Sequence, residues 1–373
     1  MTGAERISVA LPGGAGYDVL VSAGALAELP ALAADAAPAA RYAVIADSNV
    51  ARLYGATARD AFREAGFTAD LLSFPAGEAS KTRESWSRLT DELLRLDVGR
   101  DGCVVALGGG VTGDLAGFVA ATYMRGIPLV QAPTSLLAMI DASIGGKTGV
   151  DVPAGKNLVG AFHQPRMVVI DPELLATLPE SEFRAGLAEA VKHGAIHDAA
   201  YLDWVADHAD AALDADPAAV RELVIRSVHI KAGFVARDER EAGARQALNF
   251  GHTLGHALEQ ASGWRLPHGH AVATGMVLEA ELGEAVSVTE PGTAAALVAA
   301  CRACGLPTAP PPGLDADVVL HATRADKKAR SARVRYTLLA RPGEVARSEG
   351  AWTHVVRDDA VRSVLAAAAG GQG

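Results

Sequence analysis

The sequence has few cysteines, an excess of acidic over basic residues and no long apolar run, and each of these features argues against a class of protein. Only three of the 373 residues are cysteine: Cys103, Cys301 and Cys304. An odd and small number of cysteines does not form a disulfide framework and favours a reducing compartment. The 34 Lys and Arg residues against 44 Asp and Glu give a net charge of −10. We therefore do not expect a nucleic-acid-binding protein.

Membrane and export signals are also scarce. The longest uncharged apolar stretch, residues 126–140, contains Pro128 and Pro133 and is shorter than the roughly 20 residues that a membrane span needs. Residues 1–6 show no basic region followed by an apolar run, so we expect no signal peptide. The sequence predicts a cytoplasmic protein without a membrane partner.

Short apolar runs alternate with helical patterns in the first half of the chain. Strands are predicted at 42–46, 69–74, 103–107, 129–132 and 167–170. Helices are predicted between them at 51–66, 81–96, 113–122 and 135–143. This alternation is typical of βαβ units and a mostly parallel sheet.

The pattern becomes mainly helical after residue 171. Helices are predicted at 181–196, 199–213, 217–238, 244–262, 268–286 and 291–304, followed by a hairpin within 333–349 that turns at 341–343. The predicted fold is α/β, with an N-terminal Rossmann-like α/β domain over 1–171 and a C-terminal, mainly α-helical domain over 172–373.

A glycine-rich segment follows the predicted strand at 103–107. Residues 108–113 read Gly-Gly-Gly-Val-Thr-Gly, which matches G-x-G-x-x-G between a strand and a helix. Glycines let the backbone approach a pyrophosphate, and the helix N-terminus adds amide donors. The acidic residue expected about 20 positions later is absent, so this is not a standard dinucleotide fingerprint. A turn that only packs the helix on the strand is the alternative.

Three histidines are candidate metal ligands. His252 and His256 lie four residues apart on one predicted helical face, and His268 follows. Two histidines and a distant carboxylate, for which Glu189 is a candidate, make an open Zn²⁺ site. A rival set lies at successive fourth positions of one helix: Glu189, His193 and His197. The spacing alone does not choose between the two sets.

Two glycines, Gly251 and Gly255, flank His252 and His256 in the sequence. We interpret them as leaving the helix face open to a ligand.

Basic and amide side chains are frequent among glycines although the chain is acidic. The set comprises Arg125, Lys147, Lys156, Asn157, Lys192, Lys231, Arg245 and Asn249. Such groups bind small anions, which predicts a phosphorylated, polyhydroxylated acid or sugar as the substrate. Ordinary surface charge is the alternative interpretation.

Six motifs together resemble the 3-dehydroquinate synthase family of the shikimate pathway. They lie at 108–118, 122–126, 132–138, 141–149, 155–162 and 249–256, and the resemblance extends over residues 47–339. It implies a carbon–oxygen lyase that converts 3-deoxy-D-arabino-heptulosonate 7-phosphate to 3-dehydroquinate and phosphate. The implied steps are transient oxidation with bound NAD, phosphate elimination, reduction and intramolecular aldol closure.

The resemblance also implies roles for individual residues. The implied metal ligands, for Zn²⁺ or Co²⁺, are Glu189, His252 and His268. The implied NAD contacts are Asp47, Glu78, Lys81, Gly109, Gly110, Asp114, Thr134, Ser135, Lys147, Lys156 and Thr177. The implied substrate contacts are Lys231 and Arg245 for the carboxylate, Lys147, Asn157, Asn249, His256 and Lys328 for the phosphate, and Asp141, Glu189 and Lys192 for the ring hydroxyls. Arg125 is implied to reach the substrate from the other subunit of a homodimer.

Related sugar-phosphate cyclases are the main alternatives. The 2-deoxy-scyllo-inosose and epi-valiolone synthases act on sugar phosphates without a carboxylate. The presence together of Lys231, Arg245, Asn249 and His256 favours an acid substrate. An aminodehydroquinate synthase would keep the same residues and stays open, as does a metal-dependent polyol dehydrogenase. Two positions differ from the usual family pattern, Thr323 in place of a methionine and His270 in place of Glu. Lys327 is the alternative to Lys328.

Overall fold

The computed structural model describes residues 3–14, 16–325 and 333–370. The described residues form two compact units. The first runs up to Leu178 and also includes Val220–Glu239, and the second comprises Pro179–Ala219 and the chain from Arg240 onward. The predicted domain boundary after residue 171 stays a prediction.

The first unit is built on a seven-stranded sheet. Its strands are β1 (Glu5–Val9), β2 (Tyr17–Val21), β3 (Arg41–Asp47), β4 (Thr68–Phe74), β5 (Gly102–Gly108), β6 (Leu129–Pro133) and β9 (Met167–Ile170), in the order β1-β2-β9-β6-β5-β3-β4. Among the described strands of this sheet, only β1 and β2 pair antiparallel. The five predicted strands and the α/β fold are confirmed.

Helices cover both faces of the sheet. They are α1 (Ala25–Ala36), α2 (Ser48–Val50), α3 (Ala56–Glu64), α4 (Arg83–Arg95) and α5 (Gly110–Thr122). Successive residues of β3 pack on opposite faces of the sheet. Val44 belongs to the same hydrophobic cluster as Phe62, whereas Ile45 belongs to a second cluster with Leu115. Because side chains alternate across a strand, a sheet covered on both faces is apolar at every position, as β5 is.

A separate antiparallel hairpin joins β7 (Lys147–Val152) to β8 (Gly155–Phe162). The sequence analysis does not predict it, because glycines and lysines interrupt the apolar alternation there. Gly149 and Gly160 lie opposite each other in the hairpin. A Cβ atom on Gly160 would lie 2.1 Å from the carbonyl oxygen of Thr148, so this close pairing requires glycine.

The second unit is mainly helical, as predicted. Its helices are α6 (Glu180–His197), α7 (Ala199–Leu213), α9 (His252–Ala261), α10 (His268–Ala285), α11 (Thr293–Ala303), α12 (Ala316–Ala325) and α13 (Asp358–Gly370). Helix α8 (Pro217–Arg237) belongs largely to the first unit. Strands β11 (Leu339–Arg341) and β12 (Glu344–Val345) form the predicted hairpin, and β10 (Arg335–Tyr336) pairs with β13 (His354–Val355).

One predicted helix is interrupted. Residues 244–262 form a 3₁₀ segment, Ala244–Asn249, and then α9, which begins at His252. Gly251 separates the two with a φ of 79°, a conformation that glycine adopts without strain. His252 therefore lies at the first turn of a helix instead of in the middle of one.

All three cysteines are free and buried. Within the described parts of the chain, no helix combines the length and the apolar composition needed to cross a membrane.

Candidate functional site

The glycine-rich segment forms a tight turn between β5 and α5. Gly109, which has no side chain, occupies the N-cap position of α5. A Cβ atom on Gly108 would lie 2.3 Å from Oγ1 of Thr112, so a larger residue does not fit in the turn. The N–H groups of the first helical turn and the helix dipole favour an anion at such a position.

Two predicted residues that follow β6 lie beside this turn. The N–H group of Thr134 donates to the carbonyl oxygen of Gly108 at 2.9 Å. A Cβ atom on Gly109 would lie 3.3 Å from Oγ of Ser135. Gly109, Thr134 and Ser135 therefore meet at the carboxyl ends of neighbouring parallel strands, where ligands bind in open α/β sheets.

Asp47 joins this group from the carboxyl end of β3. Its Oδ1 accepts hydrogen bonds from the N–H groups of Asn49 and Val50, at 2.9 and 3.3 Å, and so caps α2. Its Oδ2 accepts a hydrogen bond from the hydroxyl of Thr112 at 3.2 Å. Thr112, which sequence reasoning missed, thus couples Asp47 to the glycine-rich turn.

A second group of predicted residues surrounds Lys81. Its Nζ lies 2.5 Å from Oδ2 of Asp114 and 2.5 Å from Oδ1 of Asn157. Oε1 of Glu78 lies 4.0 Å from the ammonium groups of Lys81 and Lys156. Burial alone would lower the pKa of Lys81, but Asp114 and Glu78 raise it above its usual value. Lys81 therefore stays charged although only 3% of it is exposed.

Asp151 is a further residue that the sequence analysis missed. Its Oδ1 accepts the N–H group of Asn157 at 2.7 Å, and its own N–H group donates to the carbonyl oxygen of Lys81 at 2.8 Å. Asn157 has a φ of 54°, in the left-handed region. Asp151 thus ties the end of the hairpin to the Lys81 segment, and its only sequence signal is its place just before the Pro-Ala-Gly turn.

Two predicted substrate residues of the first unit are paired with each other. Nζ of Lys231 lies 2.5 Å from Oδ1 of Asp141, and Lys231 is buried. Lys147, predicted to contact both NAD and phosphate, is the first residue of β7 and is exposed.

Arg125 and Thr177 lie outside these contacts. Arg125 is exposed, with a φ of 70°, and follows Met124, whose φ is 51°. Non-glycine residues in this conformation are strained and are concentrated at functional sites. The hydroxyl of Thr177 lies 2.6 Å from the hydroxyl of Tyr54.

The second unit brings together one carboxylate and two imidazoles. The ligand atoms of Glu189, His252 and His268 all lie within 4.8 Å of one another. Oε1 of Glu189 lies 3.5 Å from Nε2 of His252 and 3.7 Å from Nε2 of His268. Glu189 lies on α6, and each histidine is the first residue of its helix. Two imidazole nitrogens and a carboxylate oxygen fit a tetrahedral divalent metal ion with one open position.

The protonation of the two histidines fits a cation site. Burial and the charge of Lys192 lower the pKa of His252 to about 4, and its Nδ1 lies 3.1 Å from the carbonyl oxygen of Phe250. His252 is therefore neutral, with Nε2 as its acceptor. Burial would also lower the pKa of His268, but Glu189 and Glu259 raise it to about 9. The carboxylates thus make this position favourable for a positive charge.

Two further predicted residues lie next to these ligands. Lys192 forms a buried ion pair with Glu189 one helical turn away on α6. The ring of His256 lies 5.3 Å from that of His252, nearly perpendicular to it, and 5.9 Å from that of His268.

Arg245 and Asn249 lie in the 3₁₀ segment before α9. Arg245 is only 1% exposed. Nδ2 of Asn249 donates to Oε1 of Glu241 at 2.5 Å. Lys328, the predicted C-terminal phosphate contact, lies outside the described residues, as does Lys327.

The rival set on α6 does not assemble. His193 is fully buried and His197 is exposed. Among the residues that the structure describes, His197 joins no group of side chains close enough to share an ion. His197 lies eight residues, or more than two helical turns, from Glu189. The two side chains are therefore too far apart to bind the same metal ion.

The interpretation of Gly251 and Gly255 as an open ligand face is wrong. A Cβ atom on Gly255 would lie 3.0 Å from the carbonyl oxygen of Ala271 on α10. A Cβ atom on Gly275 of α10 would lie 2.0 Å from the carbonyl oxygen of Gly251. These glycines let the backbones of α9 and α10 approach each other, a contact between helices that sequence spacing does not reveal.

A parallel sheet with a glycine-rich turn and a helical unit with a Glu-His-His cluster are together typical of nucleotide- and metal-dependent enzymes. Residues 71–185 match the family described as 3-dehydroquinate synthase N-terminal, and residues 186–329 match its C-terminal counterpart. The chain belongs to the 3-dehydroquinate synthase family.

Individual relatives agree with this assignment. A 3-dehydroquinate synthase of Symbiobacterium thermophilum is 49% identical over 331 residues, which cover 88% of this chain and 92% of the relative. The structure of a 2-deoxy-scyllo-inosose synthase with carbaglucose-6-phosphate, NAD⁺ and Co²⁺ is 25% identical, with a TM-score of 0.88, and covers 97% of this chain and 99% of its own. ValA, a 2-epi-5-epi-valiolone synthase from Streptomyces hygroscopicus subsp. jinggangensis 5008 with NAD⁺ and Zn²⁺, is 29% identical, with a TM-score of 0.86 and the same coverage.

Proposed function

We propose that this protein converts 3-deoxy-D-arabino-heptulosonate 7-phosphate to 3-dehydroquinate and phosphate with bound NAD and a divalent metal ion. The observation that carries the proposal is the convergence of Glu189, His252 and His268 within 4.8 Å in a chain of this family. A bound NAD would supply a hydride acceptor for a transient oxidation, and a metal ion held by Glu189, His252 and His268 would polarise the hydroxyl group to be oxidised.

The first unit supplies the NAD contacts in this proposal, within the domain assigned to residues 1–171. The turn at Gly109 and Gly110, with Asp47, Thr134 and Ser135 beside it, fits the pyrophosphate and the sugars. The remaining contacts are Glu78, Lys81, Asp114, Lys147, Lys156 and Thr177. The ion pair between Lys81 and Asp114 joins the segment that follows β4 to α5.

Glu189, His252 and His268 hold the metal ion in the proposed mechanism, within the domain assigned to residues 172–373. Zn²⁺ and Co²⁺ both suit two imidazoles and a carboxylate, and each occurs in one of the cyclase structures described above. Lys192 forms a buried ion pair with Glu189, and a neighbouring ammonium group favours the charged form of a carboxylate, which is the form that binds a metal ion.

The remaining basic and polar side chains are assigned to the carboxylate and the phosphate of the substrate. We assign the carboxylate to Lys231 and Arg245, because buried cations bind an anion more strongly than exposed ones do. The phosphate is assigned to Lys147, Asn157, Asn249, His256 and Lys328, and the ring hydroxyls to Asp141, Glu189 and Lys192. Holding both ends fixes one conformer, and such orientation lowers the barrier to elimination and ring closure.

Arg125 is the proposed contribution of a second subunit. Its side chain is exposed, as a contact with another protomer requires, and strained backbone such as that at Arg125 is concentrated at functional sites. We therefore propose a homodimer. A cytoplasmic location is also proposed, and the three free, buried cysteines support a reducing compartment.

Phosphate release from 3-deoxy-D-arabino-heptulosonate 7-phosphate with NAD⁺ and Zn²⁺ tests the proposed function. We expect release that stops on chelation, with no net NADH. Net NADH would indicate a polyol dehydrogenase, and no release would contradict the proposed substrate. In a second assay, Glu189→Ala should lose both bound metal and phosphate release, so an active, metal-free variant would refute the metal site.

A further inference from the structure

Two buried carboxylates in the second unit have no role in the reaction described so far. Glu259 lies in the last turns of α9 and Glu279 lies in the middle of α10, and they are 2% and 0% exposed. Glutamate is almost never fully buried unless it is paired. Each of the two contacts the part of the other helix that carries a histidine of the Glu-His-His cluster.

Glu259, on α9, faces His268, on α10. Oε1 of Glu259 lies 3.6 Å from Nδ1 of His268. On the other side of the same ring, Nε2 of His268 lies 3.7 Å from Oε1 of Glu189. The imidazole therefore lies between two carboxylates at ion-pair distance, with Nδ1 facing Glu259 and Nε2 facing Glu189.

Glu279, on α10, holds the start of α9. Its Oε2 accepts the N–H group of Gly251 at 2.8 Å, and its Oε1 accepts the N–H group of Leu254 at 3.0 Å. Gly251 is the N-cap residue of α9 and has no side chain with which to cap the helix. Glu279 supplies that capping from the neighbouring helix, and its negative charge suits a helix N-terminus. The turn that it fixes carries His252.

We propose that Glu259 and Glu279 are reciprocal positioning residues for the metal ion, and this inference rests on the metal site of the proposed function. Each helix supplies the carboxylate that orients the histidine of the other. A carboxylate that accepts the Nδ1 proton of a metal-binding histidine fixes the orientation of the ring. It also makes Nε2 more basic and therefore a stronger metal ligand. The close approach of the helices at Gly251, Gly255 and Gly275 brings both carboxylates within reach.

Metal affinity of the full chain in the absence of substrate tests this inference. Glu259→Gln and Glu279→Gln keep the side-chain size and remove the charge. We expect Zn²⁺ dissociation constants, measured by competition with a chromophoric chelator, to rise about 10- to 100-fold in each. Glu281→Gln is the matched control, since Glu281 is a partly buried glutamate of α10 outside this arrangement, and its Kd should not change.

Thermal unfolding of the metal-stripped proteins separates positioning from structural support. A purely structural role would lower the Tm and leave the Zn²⁺ Kd of the folded protein unchanged, and that result for Glu259→Gln and Glu279→Gln would overturn the inference. If a Gln variant does not fold, the Asp variant at the same position replaces it, because it keeps the charge but withdraws it by one methylene. The Zn²⁺ Kd of the Asp variant should be higher than that of the wild type by a factor of less than about 100. A Kd equal to that of the wild type would overturn the inference. Failure of the wild type to bind Zn²⁺, or unchanged binding by Glu189→Ala, would instead refute the metal site itself.

Discussion

The ammonium group of Lys81 lies 2.5 Å from the side-chain oxygen of Asn157. This hydrogen bond joins a lysine that we assign to NAD to an asparagine that we assign to the substrate phosphate. The same ammonium group is paired with Asp114 on α5. A change at Lys81 is therefore expected to affect the ordering of the hairpin as well as the charge balance beside the glycine-rich turn.

Lys81→Met should destabilise the protein. The substitution leaves Asp114, whose side chain is 21% exposed, without its ion-pair partner. Removal of one member of a largely buried pair costs on the order of 3 kcal/mol. Chemical denaturation of the wild type and the variant measures the change in the free energy of unfolding.

The pair, and not the lysine alone, should account for that loss. Adding Asp114→Asn to Lys81→Met removes the unpaired charge, so the double variant should be more stable than Lys81→Met alone. The single variant Asp114→Asn completes the comparison. If the losses in the free energy of unfolding of Lys81→Met and Asp114→Asn simply add in the double variant, the ion pair does not contribute to the stability of the first unit.

Asp151→Ala should weaken substrate binding more than it slows turnover. Asp151 fixes the N–H group of Asn157, whose φ of 54° needs support. The loss of a hydrogen bond to a charged group costs about 2 kcal/mol, which corresponds to a KM increase of about 30-fold. Steady-state kinetics measure KM and kcat. Asp151→Asn, which still offers an oxygen acceptor, is the control and should lie closer to the wild type.

Local sequence patterns predicted five of the seven strands of the sheet and most helices, because apolar periodicity indicates which faces are buried. The same patterns missed the β7–β8 hairpin, where glycines at Gly149 and Gly160 replace the apolar residues of a typical strand. They also extended one helix across Gly251, since a single glycine does not mark a break without its φ angle.

Local sequence patterns predicted less of the candidate site than of the fold. Spacing identified His252, His268 and Glu189 as candidate ligands, and only the family resemblance separated them from the rival set on α6. Glu259 and Glu279 gave no signal, because their roles depend on contacts between two helices. The glycines between those helices were misinterpreted for the same reason.

Gly275→Ala should destabilise the second unit. The new Cβ atom would lie 2.0 Å from the carbonyl oxygen of Gly251, and a backbone atom cannot move aside as a flexible side chain does. Overpacking of this kind costs about 1–3 kcal/mol. Gly233→Ala, in the interior of α8, is the matched control, because apart from its chain neighbours and the nearby backbone of its own helix no described atom lies within 4 Å of its new Cβ atom. That control should be neutral or stabilising by up to about 1 kcal/mol, as thermal unfolding will show.

Gly109→Ala should leave the protein folded and weaken NAD binding. Gly109 has φ and ψ angles of −75° and −169°, which alanine adopts without strain, and its Cβ atom would lie 3.3 Å from Oγ of Ser135, a contact that a small shift relieves. The methyl group would occupy the side of the turn from which we expect the pyrophosphate to approach the first N–H groups of α5. Titration of the metal-stripped protein with NAD⁺ measures the Kd, and the Tm checks the fold. A higher Kd at an unchanged Tm would support the assignment of the glycine-rich turn to NAD, whereas an unchanged Kd would assign the turn to helix packing alone, the alternative that the sequence left open.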